Sequence, residues 1–144
     1  MSRAHAPFAA RMLRRPLSGG ERARLVTVLA AVLPAERAGL PALDALDHAS
    51  FFAAIEGATG PTFLPGLRAM LTALELMPLA KRGFRRRFSA LDRDAQQAFC
   101  AALADDEGYL ARQLTGTLKV LAGFAYFDAP AVRARFDTTP LGAP

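Results

Sequence analysis

The chain has 144 residues, of which 52% are hydrophobic and 22% charged, with a formal net charge of +5 and a pI near 10.3. That length fits one domain able to bury roughly two-thirds of its unfolded surface, which excludes a disordered chain and removes any need for a disulfide or structural metal. One cysteine, Cys100, and two widely separated histidines, His5 and His48, exclude an intramolecular disulfide and any Cys-based zinc centre.

Alanine and leucine dominate, β-branched residues are scarce, and no apolar–polar alternation is long enough for a strand. The expected fold class is all-α, an irregular bundle of five or six helices with a long C-terminal helix. Residues 1–16 read as a flexible basic arm, 17–138 as a single helical domain and 139–144 as a frayed tail. Ser18-x-x-Glu21 is a capping box, opening a helix with Leu25, Val28, Leu29 and Val32 on one stripe and Pro34 at its end. Residues 34–61 are looser: Leu43, Leu46 and Asp47 lead into a helix over about 49–56, broken by Gly57 and Gly60-Pro61.

A helix over about 63–76 follows, with Pro65 in its first turn, Leu67, Met70, Leu71 and Leu74 inward, and Pro78 as its stop. Asp92 is the expected N-cap of a helix over 93–104, with Ala95, Phe99, Ala102 and Leu103 inward and Phe88 and Leu91 packed on it. The longest helix is expected over 107–127 as the spine of the fold, with Leu110, Leu114, Thr117, Leu118, Leu121 and Phe124 buried. Asp105, Asp106 and Glu107 at its start complement the helix dipole. A final short helix over 131–136 begins behind Asp128-Ala129-Pro130.

No catalytic constellation emerges. There is no Gly-x-Ser-x-Gly elbow, and the only imidazoles are His5, in the basic arm, and His48, in a helix-entry segment. The consecutive acids 105–107 point in different directions on a helix and cannot converge on a metal. Gly19-Gly20 precedes a helix, but no strand leads into it and no P-loop lysine follows. Cys100, within Phe99-Cys100-Ala101-Ala102-Leu103, reads as a small buried hydrophobe. Catalytic, cofactor and metal residues are therefore expected to be absent.

The charge is uneven. Residues 1–24 carry six arginines against Glu21 alone, and Lys81-Arg82-Gly83-Phe84-Arg85-Arg86-Arg87 carries five bases and no acid, leaving the rest of the chain net −5. Such patches favour an anionic partner. The spacing of Arg82, Arg85 and Arg86 predicts one helical edge, but no exposed aromatics interleave with it for base stacking, so nucleic acid is disfavoured. Among Phe124, Tyr126 and Phe127, one stripe is expected to bury two rings and leave the third outward or in a helix–helix crevice; core packing is the default and a subunit interface the competing reading. Phe124, Tyr126, Phe127, Arg82, Arg85 and Arg86 are therefore the candidate partner interface. No continuous apolar run reaches the ~18–20 residues of a membrane span. Arg14-Arg15 is followed by Pro16-Leu17-Ser18-Gly19-Gly20-Glu21-Arg22 rather than an apolar stretch, so a twin-arginine export signal is not expected.

The stretch Leu118-Lys119-Val120-Leu121 … Ala125-Tyr126-Phe127-Asp128-Ala129-Pro130-Ala131-Val132-Arg133 resembles the closing segment of the gluconate 2-dehydrogenase subunit 3 family. Leu17-Ser18-x-x-Glu21 running to Leu29-Ala30-x-x-Leu33-Pro34 resembles that family's opening, and Arg87-Phe88-x-x-Leu91-Asp92 its middle, so the resemblance spans most of 17–136. It implies a small accessory subunit of an FAD-dependent dehydrogenase. The large partner, of the glucose–methanol–choline (GMC) oxidoreductase group, would hold FAD and the catalytic residues, and a cytochrome often accepts the electrons. Many members carry a twin-arginine signal. Its absence here makes a cytoplasmic complex the expected setting. The alternative is a stand-alone helical module binding an anionic partner, either nucleic acid or a membrane surface.

Overall fold

The computed structural model describes residues 15–57 and 60–136, within which there are six α-helices and no strand. The arm expected at 1–16, except for its last two residues, and the tail at 139–144 lie outside the described residues, as does His5. Helix α1 spans Gly19–Val32 and begins at the capping box: Ser18 Oγ accepts from Glu21 N at 3.2 Å, and Glu21 Oε2 accepts from Ser18 N at 3.3 Å. Leu25, Val28 and Leu29 are buried as the periodicity demands, and so are Ala30 and Ala31. The two alanines are covered because α1 packs on several neighbours at once and small side chains allow close approach.

Two 3₁₀ turns, Ala35–Ala38 and Leu43–Ala45, carry the chain to α2, Ala49–Gly57. Helix α3 runs Phe63–Ala80 with Leu64, Leu67, Leu71 and Leu74 inward. It continues past Pro78, against the expected stop. A proline in the last turn forfeits one amide bond, and its own carbonyl is still used, accepting from Lys81 N at 3.2 Å and Arg85 N at 3.1 Å. By length and composition alone α3 is apolar enough to cross a membrane, with a mean hydropathy of 1.2, although its inward leucines belong to the core.

After a 3₁₀ turn at Phe88–Ala90, helix α4 spans Arg93–Asp105, capped by Asp92 Oδ1 accepting from Ala95 N at 2.8 Å. Phe99 is fully buried and takes the edge of Phe88, centroids 6.0 Å apart. Helix α5 is Tyr109–Asp128, and α6 is Pro130–Phe136. The acids 105–107 do not open α5. Asp105 is the last residue of α4, and Asp106 folds back so that its Oδ1 accepts from Gly108 N at 2.8 Å. The side chain satisfies the linker backbone locally rather than complementing a dipole.

The spine is shared. α1 packs against α3, α4, α5 and the Leu43–Ala45 turn, while α5 packs against α1, α2, α4 and α6. Ion pairs tie these elements at their edges. Arg22 forks onto Glu56 of α2 at 2.8 Å, Arg68 of α3 reaches Glu21 at 3.1 Å, and Arg93 bridges Glu36 and Asp44 of the two 3₁₀ turns at 3.1 and 2.9 Å.

Candidate interaction surface

The buried face of α5 is Ala111, Leu114, Leu118, Leu121, Ala122, Ala125 and Tyr126. Leu110 and Thr117, expected inward, are exposed, and Phe124 is 50% exposed. The inward arc is rotated toward the alanines, which let α5 lie close to its neighbours. Tyr126 is 2% exposed and its hydroxyl donates to the Pro41 carbonyl at 3.0 Å. It is therefore an internal anchor and not an interface residue. Only one of the three aromatic rings is buried, and two face outward.

Phe127 belongs to a larger pattern. Tyr109, Gln113, Gly116, Val120, Gly123 and Phe127 recur at spacings of four and three, which places them on one stripe of α5, opposite Leu114, Leu118 and Ala125. The outward face of a surface helix is ordinarily charged. The stripe itself is uncharged, and the charges of this face, Arg112 and Lys119, lie exposed along one flank of it. Val120 is 71% and Phe127 58% exposed, and Phe127 packs edge-on against Tyr126 and against Phe136 of α6, with centroids 5.5 and 5.9 Å away. Phe124 lies beside the stripe, 5.9 Å from the ring of Phe51.

The glycines sharpen the anomaly. A Cβ built on Gly116 or Gly123 meets nothing within 4 Å, so no contact inside the described chain requires either glycine. Each costs about 1 kcal/mol relative to alanine in a helix interior. Gly116 and Val120, with Phe63, Thr117 and Leu121, line an open cleft of about 500 Å³ between α5 and the start of α3. The arrangement is a ready bed for a second helix: small residues where backbones would approach, and large apolar side chains on either side.

The arginines are elsewhere and are not helical. Residues 81–87 form a loop, because Gly83 (φ 93°) and Arg85 (φ 48°) both take left-handed backbone and reverse the chain. Phe84 pins it, its ring 5.5 Å from Phe99 in an edge-to-face contact, while Lys81 Nζ lies 3.7 Å from Asp106. Arg82, Arg85, Arg86 and Arg87 are exposed and make no ion pair among the described residues. Lys81 ties the loop to the linker just ahead of α5, whereas Phe124 and Phe127 occupy its last turns. At 1.5 Å per residue the two groups are separated by roughly 27 Å along the helix. The candidate interface is therefore two surfaces.

The remaining chemistry-bearing residues are internal. Cys100 is buried, and burial pushes its thiol up to about 12. His48 is buried at the head of α2, with Nε2 2.6 Å from the Leu43 carbonyl, so that this nitrogen carries the proton and donates. Gln96 and Gln97, buried on α4, were not anticipated. Gln96 Nε2 donates to the Phe88 carbonyl and Gln97 Nε2 to Glu36 Oε1, each at 3.1 Å. Their partners lie on other turns of the chain, and no local pattern identifies them. Among the described residues no three His, Cys, Asp or Glu side chains converge as metal ligands. Comparisons with family models, with curated proteins and with solved structures give no match to this chain.

Proposed function

We propose that the chain is a non-catalytic accessory subunit of an FAD-dependent dehydrogenase of the GMC class, supporting its large partner by laying the outer stripe of α5 against one of the partner's helices. The observation that carries this reading is the uncharged stripe from Tyr109 to Phe127, with two mid-helix glycines that no internal contact explains. Supporting it, residues 118–133, which resemble the accessory family, fall on the C-terminal half of α5 and the start of α6. In this reading FAD and the acid–base residues belong to the partner, and electrons pass from it to a cytochrome.

The test is co-expression with a large FAD-binding oxidoreductase encoded beside this chain. The two should co-purify, with a higher yield of flavin-loaded enzyme than the large chain gives alone. Gly116→Leu/Gly123→Leu, which fills open space and leaves the isolated fold intact, should abolish the complex. Failure to co-purify, or an intact complex in the double variant, overturns the proposal.

A further inference from the structure

We propose that the 81–87 loop, together with Leu76 and Leu79 at the end of α3, is a contact site for an anionic phospholipid surface. The site is independent of the α5 stripe. Leu76 and Leu79 are 45% and 46% exposed on the last turns of this long apolar helix. The loop folds back on that turn, since Arg85 N donates to the carbonyls of Pro78 at 3.1 Å and Lys81 at 3.4 Å. Arginines and leucines therefore share one end of α3.

The surrounding carboxylates are accounted for. Glu75 is held by Ser89, whose backbone N and Oγ both donate to it, and Asp106 pairs with Lys81. Asp105 and Glu107 lie exposed on the same linker, but the five cations of the loop outnumber the three acids of 105–107. Among the described residues four guanidinium groups have no acidic partner, on a loop that Phe84 pins to Phe99.

The side chains beside the cations distinguish among polyanions. Base stacking needs exposed rings, and the one ring in the loop is turned inward onto Phe99. Exposed leucines flanked by long basic side chains suit the headgroup–acyl boundary, where the apolar tips enter and the guanidinium groups remain among the phosphates. Charge attraction contributes about a five-fold gain in partitioning for each basic residue near an anionic leaflet.

The test uses the purified full chain and sedimentation with vesicles of phosphatidylcholine alone or mixed with phosphatidylglycerol. Binding is expected only to the mixed vesicles and should weaken as salt rises. Arg82→Ala/Arg86→Ala should lower partitioning by roughly thirty-fold, and Leu79→Ser should lower it separately. Far-UV circular dichroism of each variant should match the parent, and Arg82→Lys/Arg86→Lys should retain binding. No binding to the anionic vesicles, or equal binding by the arginine variant, overturns the proposal. Vesicle binding indifferent to Leu79→Ser, with equal affinity for duplex DNA, overturns it in favour of a general polyanion site.

Discussion

Tyr126 Oη donates to the carbonyl of Pro41 at 3.0 Å, joining α5 to a segment 85 positions earlier in the chain. The bond satisfies the hydroxyl of a ring that the packing of the helix turns inward. With Ala125 and Tyr126 turned inward, Phe124 and Phe127 on either side of them are left 50% and 58% exposed. Tyr126→Phe should lose only the hydrogen bond, about 1 kcal/mol of unfolding free energy. Tyr126→Ala should lose about 3–5 kcal/mol, as aromatic truncation in a core does. Urea denaturation of the two variants measures both; equal losses would show that the hydroxyl's bond alone matters, and no loss in Tyr126→Phe that the ring alone does.

The α5 glycines make an opposite prediction for the isolated chain. Gly116→Ala and Gly123→Ala each add a methyl group to open space on a helix interior. Each should stabilise the chain by about 0.5–1 kcal/mol. A shift of the urea midpoint to higher concentration at an unchanged slope is the expected result. A lower midpoint would mean that the space above the stripe is filled.

Acid should unfold the protein through named carboxylates. The Arg93 hydrogen bond holds Asp44 below the usual range, its charge adding to the effect and burial partly opposing it. Hydrogen bonds from Arg133 and Ser50 do the same for Asp128. At Glu21 burial pulls upward but is outweighed by Arg15, the Ser18 amide and Arg68. Because the folded pKa values are depressed, the unfolded chain takes up protons first as pH falls. The stabilisation is complete above the ordinary carboxylate pKa of about 4 and disappears as pH drops through the folded values. Melting temperatures should be insensitive to these groups from neutral pH down to about 5 and then fall. Arg93→Gln should flatten that fall by returning Asp44 toward its ordinary value.

Cys100 supplies a probe of opening. Its thiol is buried and shifted up to about 12, so almost no thiolate exists at pH 8. Alkylation by iodoacetamide should be negligible in the folded chain and rapid in denaturant. Fast labelling under native conditions would show that α4 leaves the core.

Local chemistry in the sequence decided where three of the six described helices begin. Ser18 and Asp92 accept from amides three positions on, and Pro130 sets its own φ at the first helical position, so their effect is legible without a fold. The stop expected at Pro78 was displaced because the penalty for proline depends on how many turns remain beyond it. The loop at 81–87 escaped the reading because a three–four spacing of arginines is blind to the left-handed turns at Gly83 and Arg85.

The same distinction governs α5. Its sequence determined a long helix with apolar residues at helical spacing, and hence the class of the fold. Only tertiary packing decided which arc is core, because apolar residues occur on both sides and periodicity ranks the arcs no further. Ala111, Ala122 and Ala125 allow close packing against neighbouring helices, and Tyr126 finds its acceptor at Pro41. The arc bearing Gly116, Val120, Gly123 and Phe127 is left outward, an uncharged stripe beside the exposed Arg112 and Lys119, and such a stripe suits another surface.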